Sequence, residues 1–350
     1  MLFLTADLLA TVAAVLPVDA ASAAQAAARH AGLAKPPGSL GELEELGARL
    51  SAIAGTCPPP IPERPHLLVA AGDHGVHAEG VSPWPQDITA IMADVIAQGR
   101  AASSTMAAGL GARVTVLDVG VAKPTSAHPN MRQVRVVEGT RNLRTQDALS
   151  PDEVLACIGV GHRSATEAID AGADLLVLGD MGITNTTASS CLVAALTGRD
   201  APAVVGRGTG IDDATMTAKT AVIADALTRC GPRDALGVLG AFGGAEHAAL
   251  VGIILAGAAR RVPVLLDGVI TNAAALVAVA LAPDVAEHLV AGHRSVEPAA
   301  TIALEHLGLT PLVDLRLRLG EGTGALLAVP IVQAAARVLT HMVSLEELGF

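Results

Sequence analysis

Leu175-Leu-Val-Leu-Gly-Asp-Met-Gly-Ile-Thr-Asn-Thr-Thr-Ala188 is the stretch on which the fold turns. Leu175–Leu178 is an apolar run without a polar interruption, and it stops at Gly179-Asp180-Met181-Gly182. A run this short and this apolar reads as a strand buried on both faces, the kind found in parallel sheets covered by helices. Beyond the glycine, Ile183-Thr184-Asn185-Thr186-Thr187 opens a helical stretch. Hydroxyls, an amide and backbone N–H groups at a helix start form an anion site suited to phosphate. The same residue types also make an ordinary helix cap.

Outward from this stretch the pattern recurs. Apolar runs at His66–Ala71, Val114–Leu117, Ala203–Val205 and Val262–Leu266 also end in Gly or Asp and lead into alanine-rich stretches. The spacing predicts an α/β fold with a parallel sheet between helices. The run ends read Gly72-Asp73-His74-Gly75, Asp118-Val119-Gly120, Gly206-Arg207-Gly208-Thr209-Gly210 and Asp267-Gly268. Ligands of open α/β sheets bind outside the carboxyl ends of the strands. Each Asp or Gly alone is a common turn residue; together they outline a polar, phosphate-sized pocket.

Before the first strand the chain reads as helices over residues 6–54, broken at Lys35-Pro-Pro-Gly-Ser-Leu40. Ser39 is expected to cap the helix after this break, with Glu42 completing a capping box. Lys35, one of only three lysines beside Lys123 and Lys219, could instead reach a phosphate. Cys57-Pro-Pro-Pro-Ile-Pro-Glu-Arg-Pro65 then ends all helical character, since proline breaks the hydrogen-bond ladder.

Composition excludes several classes of function. The 350 residues are 51% hydrophobic and 16% charged, which rules out a disordered chain. A net charge of −11 argues against binding a phosphate backbone. Phe3, Trp84, Phe242 and Phe350 are the only aromatics, so stacking platforms for bases are missing. No nucleic-acid partner is expected. Cys57, Cys157, Cys191 and Cys230 are scattered, as buried thiols of a reducing compartment are. No basic residue precedes Arg29, and Asp7, Pro17 and Asp19 interrupt the apolar N-terminus, unlike a signal peptide. With no uninterrupted apolar stretch of membrane-spanning length, a cytoplasmic protein without a membrane partner is expected.

Three motifs remain. Asp73-His-Gly-Val-His77 places two histidines three apart after a strand, with no further ligand suggested, so no metal is expected there and a substrate-facing loop running on to Gln86 is favoured. Gly206–Asp213 is a second candidate phosphate loop, and Asp212-Asp213 is similar to the acidic pair that binds the ribose of phosphoribosyl pyrophosphate, except that a glycine-rich loop intervenes. In Arg318-Leu-Gly-Glu-Gly-Thr-Gly-Ala325, Glu321 sits between glycines before a long apolar helix. It is either a first-turn glutamate favoured by the helix dipole or a base whose pKa burial raises.

Seven ordered motifs carry a family resemblance: Lys35-Pro-Pro-Gly-Ser-Leu-Gly41, Asp73-His-Gly-Val with Glu79-Gly-Val-Ser82, Gly179–Thr187, Arg207–Asp213, Leu265-Leu-Asp-Gly268, His293-Arg-Ser-Val-Glu-Pro298 and Arg318–Gly324. From about Leu9 to about Val343 the chain resembles the nicotinate-nucleotide–dimethylbenzimidazole phosphoribosyltransferase family, enzymes of cobalamin lower-ligand assembly. The resemblance implies a Rossmann-like sheet over residues 61–303 and a smaller helical domain from both chain ends, residues 1–60 and 304–350. It implies a homodimer with no metal and no cofactor, acting on nicotinate mononucleotide and a benzimidazole-type base.

By the same resemblance Glu321 is the general base, Asp180 and Asp267 stabilise charge at C1′ or bind ribose, and Lys219 holds the substrate. Gly182, Thr184, Asn185, Thr186, Gly208 and Ser295 would cradle the phosphate. Ser82, Trp84, Ile91 and Met92 would meet the acceptor base, and Leu319 would bind substrate. The chain departs from the family's usual Glu at Asp180, Gly at Thr184, Gln at Ile91 and Tyr at Trp84. Two rival readings are a non-catalytic riboside- or nucleotide-binding relative and a phosphoribosyl pyrophosphate-dependent transferase using Asp212 and Asp213.

Overall fold

A computed structural model describes residues 6–208 and 210–349. Helices α1 (Ala6–Ala14), α2 (Ala20–Gly32) and α3 (Glu42–Ala54) precede strand β1 (Pro65–Gly72). Next come α4 (Ile88–Ala97), α5 (Ala102–Gly109), β2 (Arg113–Gly120), β3 (Met131–Gln133), α6 (Pro151–Asp170) and β4 (Leu175–Met181). The chain continues through α7 (Asn185–Thr197), α8 (Ala201–Val204), α9 (Asp213–Cys230), α10 (Ala235–Phe242), α11 (Ala245–Ala259) and β5 (Val264–Leu266). It closes with α12 (Val269–Leu281), β6 (Leu289–Ala291), α13 (Pro298–Leu307) and α14 (Thr323–His341).

Every strand pairs in parallel, in the order β3-β2-β1-β4-β5-β6. This is the doubly wound order, whose direction of winding reverses between β1 and β4. Side chains alternate between two apolar cores. Leu68, Ala70, Leu117, Leu176 and Leu178 face one, against α6, α7 and α10 to α12. Leu67, Val69, Ala71, Val116 and Val177 face the other, against α3, α4, α5 and α14. Because both faces are buried, the strands read as unbroken apolar runs instead of alternating ones. By length and composition α14 could cross a membrane, yet 56% of that apolar stretch is buried, chiefly through Ala325, Leu326, Val329, Val332 and Ala336.

The tightest helix contact joins α6 to α11. A Cβ placed on Gly161 would lie 1.8 Å from the Ala249 carbonyl oxygen, and one on Gly252 would lie 2.0 Å from the Ile158 oxygen. Gly161→Ala is therefore expected to destabilise the protein by about 3 kcal/mol through backbone overpacking. Thermal unfolding checks this, and an unchanged melting temperature would contradict it.

Two local expectations are corrected. Ala203–Val205 is not a strand: Ala201–Val204 is a helical turn in which the Asp200 carboxylate accepts the Ala203 N–H, with Pro202 in its first turn. An Asp cap with proline in the first turn favours a helix start, and this outweighed the three apolar residues. Ser39 and Glu42 do not cap α3, which starts after Gly41 at φ +52° with no side-chain cap. Instead Glu44 Oε1 reaches back to the Leu40 N–H at 3.1 Å and to Lys35 Nζ at 2.7 Å, so Lys35 is committed to an ion pair.

Candidate active site

The candidate site lies beyond the carboxyl ends of β4, β5 and β6. A Cβ on Gly182 would lie 2.5 Å from the Gly72 carbonyl oxygen, so only glycine lets the turn after β4 pass beside the end of β1. Thr89 on α4 pins this turn, its Oγ1 accepting the Ile183 N–H at 3.1 Å. Thr184 enters α7 at φ +74°, a conformation in which a β-branched residue is strained by about 1–2 kcal/mol. Glycine would take this backbone at ease.

Three carboxylates converge above β4 and β5. Asp180 is 4% exposed; its Oδ2 accepts from the Asn185 amide at 2.9 Å, and its Oδ1 has no partner among the described residues. Burial, and then the negative charge of Asp267, push the Asp180 pKa well above the usual carboxylate range. Asp267, at the end of β5, is the anchor of the α14 start. Its Oδ1 accepts from the Gly324 and Ala325 N–H groups at 2.8 and 3.0 Å, and its Oδ2 from the Gly322 N–H at 3.2 Å. His293 Nε2 lies 3.4 Å from the same carboxylate. Burial raises the Asp267 pKa although His293 and these N–H groups oppose it.

Glu321 precedes α14 instead of lying in its first turn, held at φ +61° and 4% exposed. Its Oε2 accepts the Ser103 hydroxyl at 2.9 Å, at the start of α5. Burial raises its pKa, and the bonds from Ser103 pull the other way. The Glu321 loop lies directly on β4: a Cβ on Gly179 would be 2.6 Å from the Glu321 carbonyl oxygen and 3.0 Å from the Gly322 nitrogen. Gly320 stacks on the Asp180 carboxylate, its would-be Cβ 3.2 Å from Oδ2.

The cationic side is Lys219 on α9, 1% exposed, whose Nζ donates to Thr186 Oγ1 at 2.9 Å and to the Gly206 oxygen at 3.0 Å. Burial lowers its pKa, opposed by Glu297. Asp180, Gly182, Asn185, Thr186, Gly208, His293, Ser295, Glu297, Arg318 and Leu319 line one cavity. Two larger hollows, ≈ 570 Å³ around His66, Arg113 and Arg132 and ≈ 1080 Å³ between α1 and α6, contain none of the site residues expected from sequence.

Other expected residues stand apart from that cavity. Ser82 Oγ accepts the Trp84 N–H at 3.2 Å and borders a separate hollow with Gly210 and Asp212. Trp84 and Ile91 are exposed apolar residues, as is Leu319 on the cavity wall, while Met92 is half-buried against the core. Asp212 caps α9 through the Thr215 N–H at 2.8 Å, and exposed Asp213 pairs with Arg207. Thr209, in the second glycine-rich loop, lies outside the described residues.

His74 and His77 do not converge: His77 Nε2 meets the Trp84 oxygen at 2.9 Å. His74 joins Glu246 and His247 in a fully buried cluster, with Glu246 Oε1 2.7 Å from each imidazole. Burial works against charge on His74, but Glu246 prevails and holds its pKa above the ordinary value. Sequence spacing missed this cluster because Glu246 is 172 residues from His74. It also missed Ser103, whose only local signal is a Ser-Ser pair at a helix start, and Glu297, which stands in a conspicuous His-Arg-Ser-Val-Glu-Pro motif.

Comparison with known proteins identifies the family. The family model described as Phosphoribosyltransferase matches residues 15–349. The nicotinate-nucleotide–dimethylbenzimidazole phosphoribosyltransferase of Salinispora tropica is 51% identical, over 97% of this chain and 98% of its own. That of Mycobacterium bovis is 49% identical, over 95% and 92%. Among solved structures, CobT from Thermus thermophilus superimposes with a TM-score of 0.92 at 45% identity, over 94% of this chain and 98% of that one. The chain thus belongs to the phosphoribosyltransferase family of which these nicotinate-nucleotide–dimethylbenzimidazole enzymes are members.

Proposed function

We propose that this protein transfers 5-phosphoribose from nicotinate mononucleotide to a benzimidazole-type base, in cobalamin biosynthesis, with inversion at C1′. The products are α-ribazole 5′-phosphate and nicotinate. The observation that carries the reading is a buried carboxylate, Glu321, in a loop held over the carboxyl end of β4, where the neighbouring Gly320 packs on Asp180. Phosphate would lie against Thr186, Asn185, Gly182, Gly208 and Ser295, with Lys219 behind it.

The chemistry asks for little more. A benzimidazole nitrogen attacks C1′ while the C1′–N bond to nicotinate breaks. The bonding pair goes to the pyridine nitrogen, which was already cationic, so no acid is needed to expel it. The acceptor's N–H proton passes to Glu321, whose raised pKa suits a base working near neutral pH. Asp180 is suited to hydrogen-bond the ribose, since it lines the cavity and its Oδ1 is unspent. Asp267 supports the same site from behind, adding negative charge while its hydrogen bonds hold the Glu321 loop.

The acceptor would rest near Trp84 and Ile91, on aliphatic surface more than on aromatic stacking. Ile91→Gln is expected to change the ranking of benzimidazole, purine and phenolic acceptors, read from competition assays by product mass. An unchanged ranking would remove Ile91 from the acceptor site. We further propose a cytoplasmic location and a homodimer, the latter supported by the exposed apolar side chains Val296 and Leu315. The decisive test is incubation of the purified protein with nicotinate mononucleotide and dimethylbenzimidazole, with the riboside phosphate identified by mass. Tight binding without turnover would overturn the enzymatic reading.

A further inference from the structure

The loop between β6 and α13 sends a carboxylate into the phosphate end of the cavity. Glu297 is 5% exposed and occupies the N-cap position of α13, yet its side chain makes no cap bond. Its Oε1 accepts the Gly208 N–H at 2.8 Å instead. A Cβ on Gly206 would fall 2.0 Å from Glu297 Oε2 and 2.5 Å from its carboxyl carbon, so the carboxylate is wedged against the turn. The other side of that turn is gripped by Lys219, through the Gly206 oxygen at 3.0 Å. Buried opposite charges thus bracket Gly206–Gly208.

Such an arrangement has a reason. An ammonium buried alone sheds its proton, because removal from water disfavours the charged form. An ammonium uses three donors, and Lys219 commits two of them, to Thr186 and Gly206. The remaining one serves a ligand only while the lysine stays charged. The groups acting on its charge are Glu297 from the β6–α13 loop and Cys191 from α7. Arg318 and Asp180 line the same cavity from the Glu321 loop and from β4. Of these, Glu297 is the anion that favours the charged lysine most.

We propose that Glu297 is a positioning residue for the substrate phosphate: it fixes the Gly208 peptide and keeps the Lys219 ammonium charged. The inference rests on the phosphate-cradle reading above. Two contributions are separable. Glu297→Gln retains an oxygen for the Gly208 N–H but removes the charge, whereas Glu297→Ala removes both, and Glu297→Asp keeps the charge.

The test is steady-state kinetics of wild type and the three variants from pH 6 to 9, with nicotinate mononucleotide and with its dephosphorylated riboside. The sign follows from the lysine. Without Glu297 its pKa falls, so phosphate affinity is intact at low pH and is lost as pH rises through the lowered value. For Glu297→Gln the KM for the mononucleotide, relative to wild type, is expected to rise about tenfold per pH unit above that point. It should return towards wild type below that point, with kcat and the riboside KM little changed. Using the ratio to wild type cancels the titration of the phosphate itself, near pH 6. Glu297→Ala should raise the mononucleotide KM at every pH, and Glu297→Asp should restore the flat profile.

A ratio flat with pH for Glu297→Gln, or an equal rise for riboside and mononucleotide, would overturn the inference and leave Glu297 a structural residue. Wild type that shows no preference for mononucleotide over riboside would instead overturn the cradle itself.

Discussion

Glu321→Gln is expected to lower kcat by about 10²- to 10⁴-fold, the span of general acid–base contributions, while nicotinate mononucleotide still binds. Glutamine keeps the shape and can still accept from Ser103, so the loss isolates the proton-accepting role. The pH dependence makes the claim sharper. Burial holds the Glu321 pKa above the ordinary carboxylate value, and only the ionised form takes a proton. Activity should therefore be full above the raised pKa and fall as pH drops through it. In the glutamine variant this acidic limb should vanish from the residual rate. Single-turnover assays across pH check both statements. Near-normal turnover, or an unchanged acidic limb, would remove Glu321 from the reaction.

A single methyl group added at Gly179 is expected to do comparable damage from inside the sheet. In Gly179→Ala the new Cβ would sit 2.6 Å from the Glu321 carbonyl oxygen and 2.7 Å from its carbonyl carbon. Those are backbone atoms of a loop already pinned by Asp267 through Gly322, Gly324 and Ala325. The loop must rise off β4, and a displacement near an ångström costs a positioned catalytic group about 10²-fold. Overpacking should also cost about 1–3 kcal/mol of stability. The comparison with Gly161→Ala separates the two effects, because that glycine is packed between α6 and α11, away from the cavity. At a temperature where both variants are folded, only Gly179→Ala should lose kcat. Full activity in Gly179→Ala would show that β4 does not hold the loop in place.

Much of the fold was legible because its signals are local. Leu175–Leu178 and His66–Ala71 announce strands buried on both faces, since no polar face is left to interrupt them. Three-residue β3 and β6 carry too little pattern to stand out. The helical turn at Ala201–Val204 reads as part of a strand because three apolar residues mask an Asp cap and a proline. The glycine-flanked Glu321 was conspicuous locally. Ser103, its partner 218 residues away, was not.

The same division runs through the site. By itself the sequence determined a parallel α/β sheet, because buried parallel strands and their Gly-Asp ends are written in consecutive residues. It also determined that carboxylates, hydroxyls and glycines would gather at one sheet edge. What it left undivided were the roles of Asp180 and Asp267, two strand-end aspartates of equal appearance. Only the tertiary structure separated them. Asp267 spends its oxygens on backbone N–H groups 55 to 58 residues ahead in the chain, while Asp180 keeps Oδ1 unspent beside the cavity. Hydrogen-bond demand from distant segments leaves no trace in local spacing, and for these two carboxylates that demand separates anchor from candidate reagent.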